Sequence, residues 1–272
     1  MARRTGMLNA VIDAVKEVAK QEIIPRYLKV QGHYKSDGSL CTEADVAAQE
    51  ALVRKLQKIY PGKIVSEEMS EAQNKDQWDL GDEGLWCIDP IDGTTNFVNG
   101  IPYFAVSVAL MNRGRSVLGV VYDPIADEMF YAEKGKGAFL NNVKLPVKEY
   151  TPTPFKSAIA SVDLKRLNKK LAARISTTPP CSSQRNFGAS ALDWCFTAAG
   201  RFDLSLHGGQ NLWDYAAGSL ILEEAGGCMC GIDLDDFWKE PLWERSVIAA
   251  LDPTLFIPVS YTHLTLPTIY SV

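Results

Sequence analysis

The sequence predicts a layered α/β fold built as two closely packed halves. Segments with apolar residues at helical spacing alternate with runs rich in β-forming residues. Strand runs cluster between residues 85 and 140, and helices and strands alternate beyond residue 158, a mixture that stacks helices on sheets. The chain has 272 residues, 46% of them hydrophobic, enough core for one large domain or two joined halves.

Taken in order, residues 7–28 repeat Leu8, Val11, Ile12, Val15, Val18, Ala19 and Ile23 at helical spacing, with Pro25 near the end. A polar loop is expected over 32–39. A second helix is expected over 43–59, stopped by Pro61-Gly62. Ile64-Val65 forms a short strand running into Ser66-Glu67-Glu68. Residues 71–83 read as a polar loop, and 85–88 as a strand entering Asp89-Pro90. Strands follow over 105–111, 116–122, 128–132 and 137–140, separated by turns at Asn112-Arg113-Gly114 and Asn141-Asn142. Two prolines in 150–154 mark a linker. Beyond it lie a strand (158–162), a helix (164–175), a helix closed by Gly200 (189–199) and a strand (203–206). A helix closed by Gly226-Gly227 (215–225) and a late strand (246–251) complete the pattern. The expected organisation is an N-terminal α+β half over 1–150 and a C-terminal α/β half over 151–258. Residues 259–272 (VSYTHLTLPTIYSV from Val259) have no helical period and read as a non-native tail, set aside from fold reasoning.

Net charge is −5, which does not support a basic nucleic-acid surface. No apolar run reaches the roughly 18 residues of a membrane span. Charged and polar residues such as Asn9, Asp13 and Lys16 break the pattern of a secretion signal. Six scattered cysteines without a CxxC pair fit reduced, mostly buried thiols. A cytoplasmic location is the expectation.

Four acidic clusters fall at the ends of expected elements: Asp45, Glu67-Glu68, Asp89 with Asp92, and Asp214. Hard divalent cations take oxygen ligands, chiefly carboxylates and carbonyls. In Asp89-Pro90-Ile91-Asp92-Gly93-Thr94-Thr95, Pro90 keeps Asp89 out of the helical region. The turn is able to aim two carboxylates and the Ile91 carbonyl at one point. Gly93 permits close backbone approach, and the N–H groups of Gly93 and Thr94 suit a phosphate. The alternative is an ordinary Asp-Pro and Asp-Gly turn. Glu67-Glu68 reads as a ligand and its neighbour, or as a solvated charge pair. Asp45 stands three residues after Thr42, so it closes a capping box, serves the site, or does both. Asp214 raises the same choice as a helix cap. Lys35 reads as a solvated lysine, and Trp86, Trp194 and Trp213 as packing residues.

Residues 86–98, WCIDPIDGTTNFV, resemble the central motif of the inositol monophosphatase family, and residues 212–227, LWDYAAGSLILEEAGG, resemble its second motif. The Glu-Glu after Ile64-Val65 and the Thr42-x-x-Asp45 helix start are similar to further family signatures, in the family's order. The likeness spans about residues 7–256. It implies an α-β-α-β-α sandwich, a homodimer, and Mg²⁺-dependent, lithium-sensitive hydrolysis of a small phosphorylated polyol or sugar. It implies two to three Mg²⁺ per site. Glu67, Asp89 and the Ile91 carbonyl would hold one, and Asp89, Asp92 and Asp214 a second; a third would lean on Glu67 through water. Thr94 and Asp45 would orient the attacking water, with Glu67 assisting. Asp92, Gly93, Thr94 and Asp214 would face the substrate, and Gly188, Ala189 and Ser190 would line its alcohol.

One departure stands out. Seven positions before Asp214, where inositol-selective members carry an acidic residue, this chain has His207. His207 is therefore a candidate substrate contact that alters selectivity, or a structural histidine. Inositol 1-phosphate is the leading substrate, with histidinol phosphate, fructose 1,6-bisphosphate and 3′-phosphoadenosine 5′-phosphate as alternatives. A reading of another class is an interaction protein that binds transcription machinery, as some bacterial relatives do.

Overall fold

The computed structural model describes residues 6–35, 38–80, 83–148, 151–239 and 242–256. The tail from Val259 lies outside these. In chain order the elements begin with α1 (Gly6–Val18), β1 (His33–Tyr34), β2 (Leu40–Cys41), α2 (Glu43–Ile59) and β3 (Lys63–Ser66). They continue with α3 (Glu71–Leu80), β4 (Glu83–Asp92), α4 (Thr94–Asn99), β5 (Ala105–Asn112), β6 (Arg115–Asp123) and β7 (Glu128–Glu133). Next come β8 (Ala138–Leu140), β9 (Val143–Lys144), β10 (Ile159–Asp163), α5 (Lys169–Thr177) and β11 (Ser183–Arg185). The last are α6 (Ser190–Ala198), β12 (Leu204–Asn211), α7 (Leu212–Glu224), β13 (Cys228–Cys230) and β14 (Glu244–Ala250).

Two sheets organise the chain. Strands β3 to β9 form one in sequential order, antiparallel except for the β3–β4 pair. The other has the order β11-β10-β12-β14-β13, with β10 parallel to both its neighbours. Helices α1 and α2 cover one face of the larger sheet, where Val15, Leu52 and Leu56 meet Trp86, Ile88 and Val108. Its other face packs on α6 and α7, through Leu85, Cys87 and Ala109 against Trp194, Leu220 and Ile221. Those two helices also meet Val247 and Ala249 of the smaller sheet. The outer face of that sheet receives Leu171 and Ile175 of α5. The stack is α-β-α-β-α, as the motifs implied. Adjacent residues of β4 point into different cores, so Leu85-Trp86-Cys87-Ile88 is apolar throughout rather than alternating.

Several local expectations need correction. Residues 71–80 are helical, not loop. Their composition offers no apolar stripe, and the buried Asn74 holds them instead: its amide accepts from Ser66 N–H at 2.9 Å and donates to the Ser66 carbonyl at 2.8 Å. The segment expected as a loop over 32–39 contributes to a β1–β2 hairpin in which His33 pairs with Cys41. The first helix ends at Val18 and continues as a wider π turn (Ala19–Ile23) and a tight 3₁₀ turn around Pro25. α5 starts at Lys169, because the Asn168 side chain caps it by accepting from Leu171 N–H. All six cysteines are free thiols, and Cys228 alone among them is not buried. Among the described residues no helix is long and apolar enough to cross a membrane.

Candidate metal and phosphate site

A regular strand would place Asp89 and Asp92 on opposite faces, since they are three residues apart. β4 avoids this with a bulge: Asp89 pairs with Ser107 and Asp92 with Ala105, so three steps on β4 match two on β5. Both carboxylates thereby reach the same point. β12 uses the same device: His207 pairs with Val247 and Gln210 with Arg245, with Gly208 and Gly209 in the bulge. α7 follows at once and brings Asp214. Ligand oxygens of Asp89, Asp92 and Asp214 then lie within 4.8 Å of one another.

Each carboxylate is also anchored. Asp92 accepts from Ala191 N–H at 2.6 Å, at the start of α6. Asp89 accepts from Ile91 N–H at 3.1 Å. Asp214 accepts from Asn211 N–H at 2.9 Å and completes the capping box of α7. Asp214 thus caps α7 and also stands in the carboxylate cluster. Asp45 behaves alike: it accepts from Thr42 N–H at 2.7 Å within the α2 capping box, and its other oxygen lies 3.3 Å from the Thr94 hydroxyl. That hydroxyl is also 3.0 Å from the Ile91 carbonyl.

Glu67 lines the same cleft as Asp89, and the two carboxylates are hydrogen-bonding neighbours. Lys35 is not solvated as expected. Its ammonium pairs with Glu68 at 2.8 Å and reaches the Glu67 carbonyl at 3.3 Å, tying the hairpin to the Glu67 loop. Glu68 also accepts from the Cys41 thiol at 3.2 Å.

Burial sets the electrostatics. It pushes Glu67 up to about 8, helped by the charge of Asp214. Asp92 and Asp214 rise to about 7, and Asp45 to about 6, burial leading in each. Asp89 is raised well above the usual carboxylate range, by burial and then by Glu67 and Asp92. Carboxylates this close and this buried repel one another when ionised. A hard divalent cation relieves that repulsion and takes oxygen donors, so the residues fit Mg²⁺.

Gly93 has φ +93°, and a Cβ there would lie 3.2 Å from the Ala189 Cβ and 3.3 Å from the Gly188 carbonyl. Only glycine lets the 188–190 segment close onto this turn. Both segments line one cleft of about 540 Å³ with Glu67, Asp89, Asp92 and Asp214. Asn96 fastens them by donating to the carbonyls of Phe187 (2.6 Å) and Tyr103 (2.7 Å).

Several cleft residues had no signal in the sequence. Asp193 accepts from Ser161 at 2.9 Å and from Tyr103 at 3.1 Å, joining the two halves. Asp163, Lys165 and Arg166 also line the cleft. His207 lies there with both ring nitrogens engaged: Nδ1 accepts from Gly209 N–H at 3.1 Å, and Nε2 lies 3.5 Å from Asp163. Trp86 and Trp194 are fully buried, as expected of packing residues. Trp213, partly buried, also packs against the core, as expected.

A layered fold with a carboxylate cluster suited to a divalent cation beside the Gly93-Thr94 turn is the arrangement of a class of metal-dependent phosphatases. The model of the inositol monophosphatase family matches residues 4–260, and the chain belongs to that family. It is 37% identical over 231 residues to the Nus factor SuhB of Pasteurella multocida, covering 82% of this chain and 84% of that one. It is 32% identical to the inositol-1-monophosphatase of Mesorhizobium japonicum, covering 85% and 87%. Among solved structures, the suhB extragenic suppressor protein of Bartonella henselae superposes with a TM-score of 0.81 at 28% identity, covering 96% and 99%. The Thermotoga maritima IMPase gives 0.80 at 29%, covering 95% and 98%.

Proposed function

We propose that the protein hydrolyses a small phosphate monoester with Mg²⁺, inositol 1-phosphate being the leading substrate. The observation that carries this is the oxygen cluster of Asp89, Asp92 and Asp214 set beside the Gly93-Thr94 turn. Glu67, Asp89 and the Ile91 carbonyl would hold one ion and Asp89, Asp92 and Asp214 another, with Glu67 serving a third. When bound, Mg²⁺ supplies positive charge to the phosphoryl oxygens and acidifies water.

The chain's own groups do the rest. The N–H groups of Gly93 and Thr94 face the phosphate. The Thr94 hydroxyl, in contact with Asp45, orients the attacking water and passes its proton toward that carboxylate. Burial raises Asp45 toward neutral pH, which suits a group that takes up a proton there. Residues 188–190 flank the alcohol. The fold supports a division into halves at residue 150, and the family likeness supports a homodimer, lithium sensitivity and a cytoplasmic location.

The test is phosphate release with Mg²⁺ from a panel of inositol 1-phosphate, histidinol phosphate, fructose 1,6-bisphosphate and 3′-phosphoadenosine 5′-phosphate. No release above an EDTA control from any of them would sink the proposal. Relatives named Nus factor SuhB favour a second reading, binding to transcription machinery. An Asp89→Ala protein that still captured RNA polymerase would support it, and loss of capture would count against it.

A further inference from the structure

Residues 188–190 of the cleft wall are held from both ends by one short stretch of chain. At one end Ala191 N–H donates to Asp92 at 2.6 Å. At the other the Asn96 amide donates to the Phe187 carbonyl at 2.6 Å. The same amide donates to the Tyr103 carbonyl at 2.7 Å, so both of its N–H groups are spent on backbone. Asn96 is buried in the first turn of α4 and stands behind the residues that line the cleft.

The fit around this amide is close. Gly188 has φ +81°, and a Cβ there would lie 3.4 Å from the Asn96 amide nitrogen. The rings of Tyr103 and Phe187 meet with centroids 5.0 Å apart, and the Tyr103 hydroxyl donates to Asp193 at 3.1 Å. Asn96 therefore pins the backbones of two segments whose side chains also touch. The two anchors differ in what else they do. Asp92 belongs to the carboxylate cluster, so disturbing it disturbs the metal site as well. Among the described residues, the Asn96 side chain bonds only to the two carbonyls.

We propose that Asn96 is a positioning residue for selectivity: it fixes where residues 188–190 stand relative to the Gly93 turn, and through them how one alcohol is told from another. The inference rests on the phosphatase reading above and keeps inositol 1-phosphate as its leading substrate. Loss of the amide frees the Phe187 end of the segment while Asp92 still holds the Ala191 end. The wall then shifts beside the alcohol, and the groups that face the phosphate keep their places. A misplacement of about 1 Å is enough to cost a rate about a hundredfold.

The experiment measures kcat/KM for inositol 1-phosphate and for phenyl phosphate with Mg²⁺ in the parent protein, Asn96→Ala and Asn96→Gln, together with hydrogen exchange over residues 186–192. In Asn96→Ala the ratio of inositol 1-phosphate to phenyl phosphate is expected to fall by about tenfold or more. Asn96→Gln keeps the donors and recovers part of the ratio. Exchange quickens over 187–190 in Asn96→Ala while α7 keeps its protection. A ratio equal to the parent's, with both rates lowered in proportion, overturns the inference, because a purely structural role lowers rates without changing their ratio. Unchanged exchange over 186–192 also overturns it, since the segment is then held elsewhere. A parent that releases phosphate from neither compound overturns the phosphatase reading, and the selectivity role with it.

Discussion

Asp45 and Thr94 meet across the site: one oxygen of the Asp45 carboxylate closes the α2 cap on Thr42, and the other lies 3.3 Å from the Thr94 hydroxyl. A single side chain thus ties the first helical layer to the turn that follows β4. The contact joins residues 49 positions apart and is buried on both sides.

The first expectation follows from that pair. Thr94→Ala removes the hydroxyl proposed to orient water and should lower kcat by about 10²–10⁴-fold, the range of positioned acid–base groups. Thr94→Ser keeps the hydroxyl and should retain a substantial part of the rate. Asp45→Ala should lower kcat and also cost about 1 kcal/mol of stability through the lost cap. Steady-state kinetics with urea denaturation check both, and equal activity of Thr94→Ala and Thr94→Ser would remove the hydroxyl from the mechanism.

Asp92 belongs to the oxygen cluster and accepts from the start of α6. Asp92→Asn preserves an acceptor for Ala191 but discards the charge. Turnover should fall sharply, and the Mg²⁺ needed for half-maximal activity should rise by about tenfold or more, at least the scale of losing a metal's outer partners. A Mg²⁺ titration of activity measures this. An unchanged half-activation concentration would contradict the assignment of Asp92 as a ligand.

The buried carboxylates predict a pH dependence of stability. Unfolded, they titrate near about 4. Folded and stripped of divalent ions, Asp45 holds its proton to about 6, Asp92 and Asp214 to about 7, and Glu67 to about 8. Between these values the folded state binds more protons than the unfolded one, so stability falls as pH rises. EDTA-treated protein should therefore lose Tm from pH 5 to pH 8, and added Mg²⁺ should raise Tm more at pH 8 than at pH 5. A flat Tm profile, or an equal Mg²⁺ effect at the two pH values, would show that these groups stay ionised without metal.

Asn74 supports the Glu67 loop from below by bridging both backbone groups of Ser66. Asn74→Ala takes the partner from the buried Ser66 N–H and leaves the Ser66 carbonyl only Met69 N–H, at a cost of about 1–3 kcal/mol. It should also loosen α3 and raise the Mg²⁺ requirement. Hydrogen exchange at residues 64–75 tests the structural part, and protection equal to the parent's would locate the support of α3 elsewhere.

Much of the site was legible because its signals are contiguous. Asp89 to Thr95 states its turn, its glycine and its carboxylates in one stretch, and Thr42 with Asp45 states a cap. Helix α3 was not legible, since Glu71–Leu80 carries no apolar stripe and is placed by Asn74 on Ser66 and by Trp78 against Trp243. Lys35 looked solvated because nothing near it in sequence announces Glu68, 33 positions away. His207 was read as a candidate contact for substrate; its partner Asp163 lies on β10, a strand that pairs in parallel with β12.

The sequence by itself determined the layered class, the periodic helices, the carboxylate-rich motifs and the family likeness, because each depends on local spacing and residue type. Only the tertiary structure decided that Asp89 and Asp92 share a face, since the bulge that brings them together exists only against β5. The same holds for the meeting of Asp45 with Thr94 and the closure of residues 188–190 on Gly93. Those contacts join distant segments, and their geometry is set by how sheets and helices pack rather than by any short run of residues.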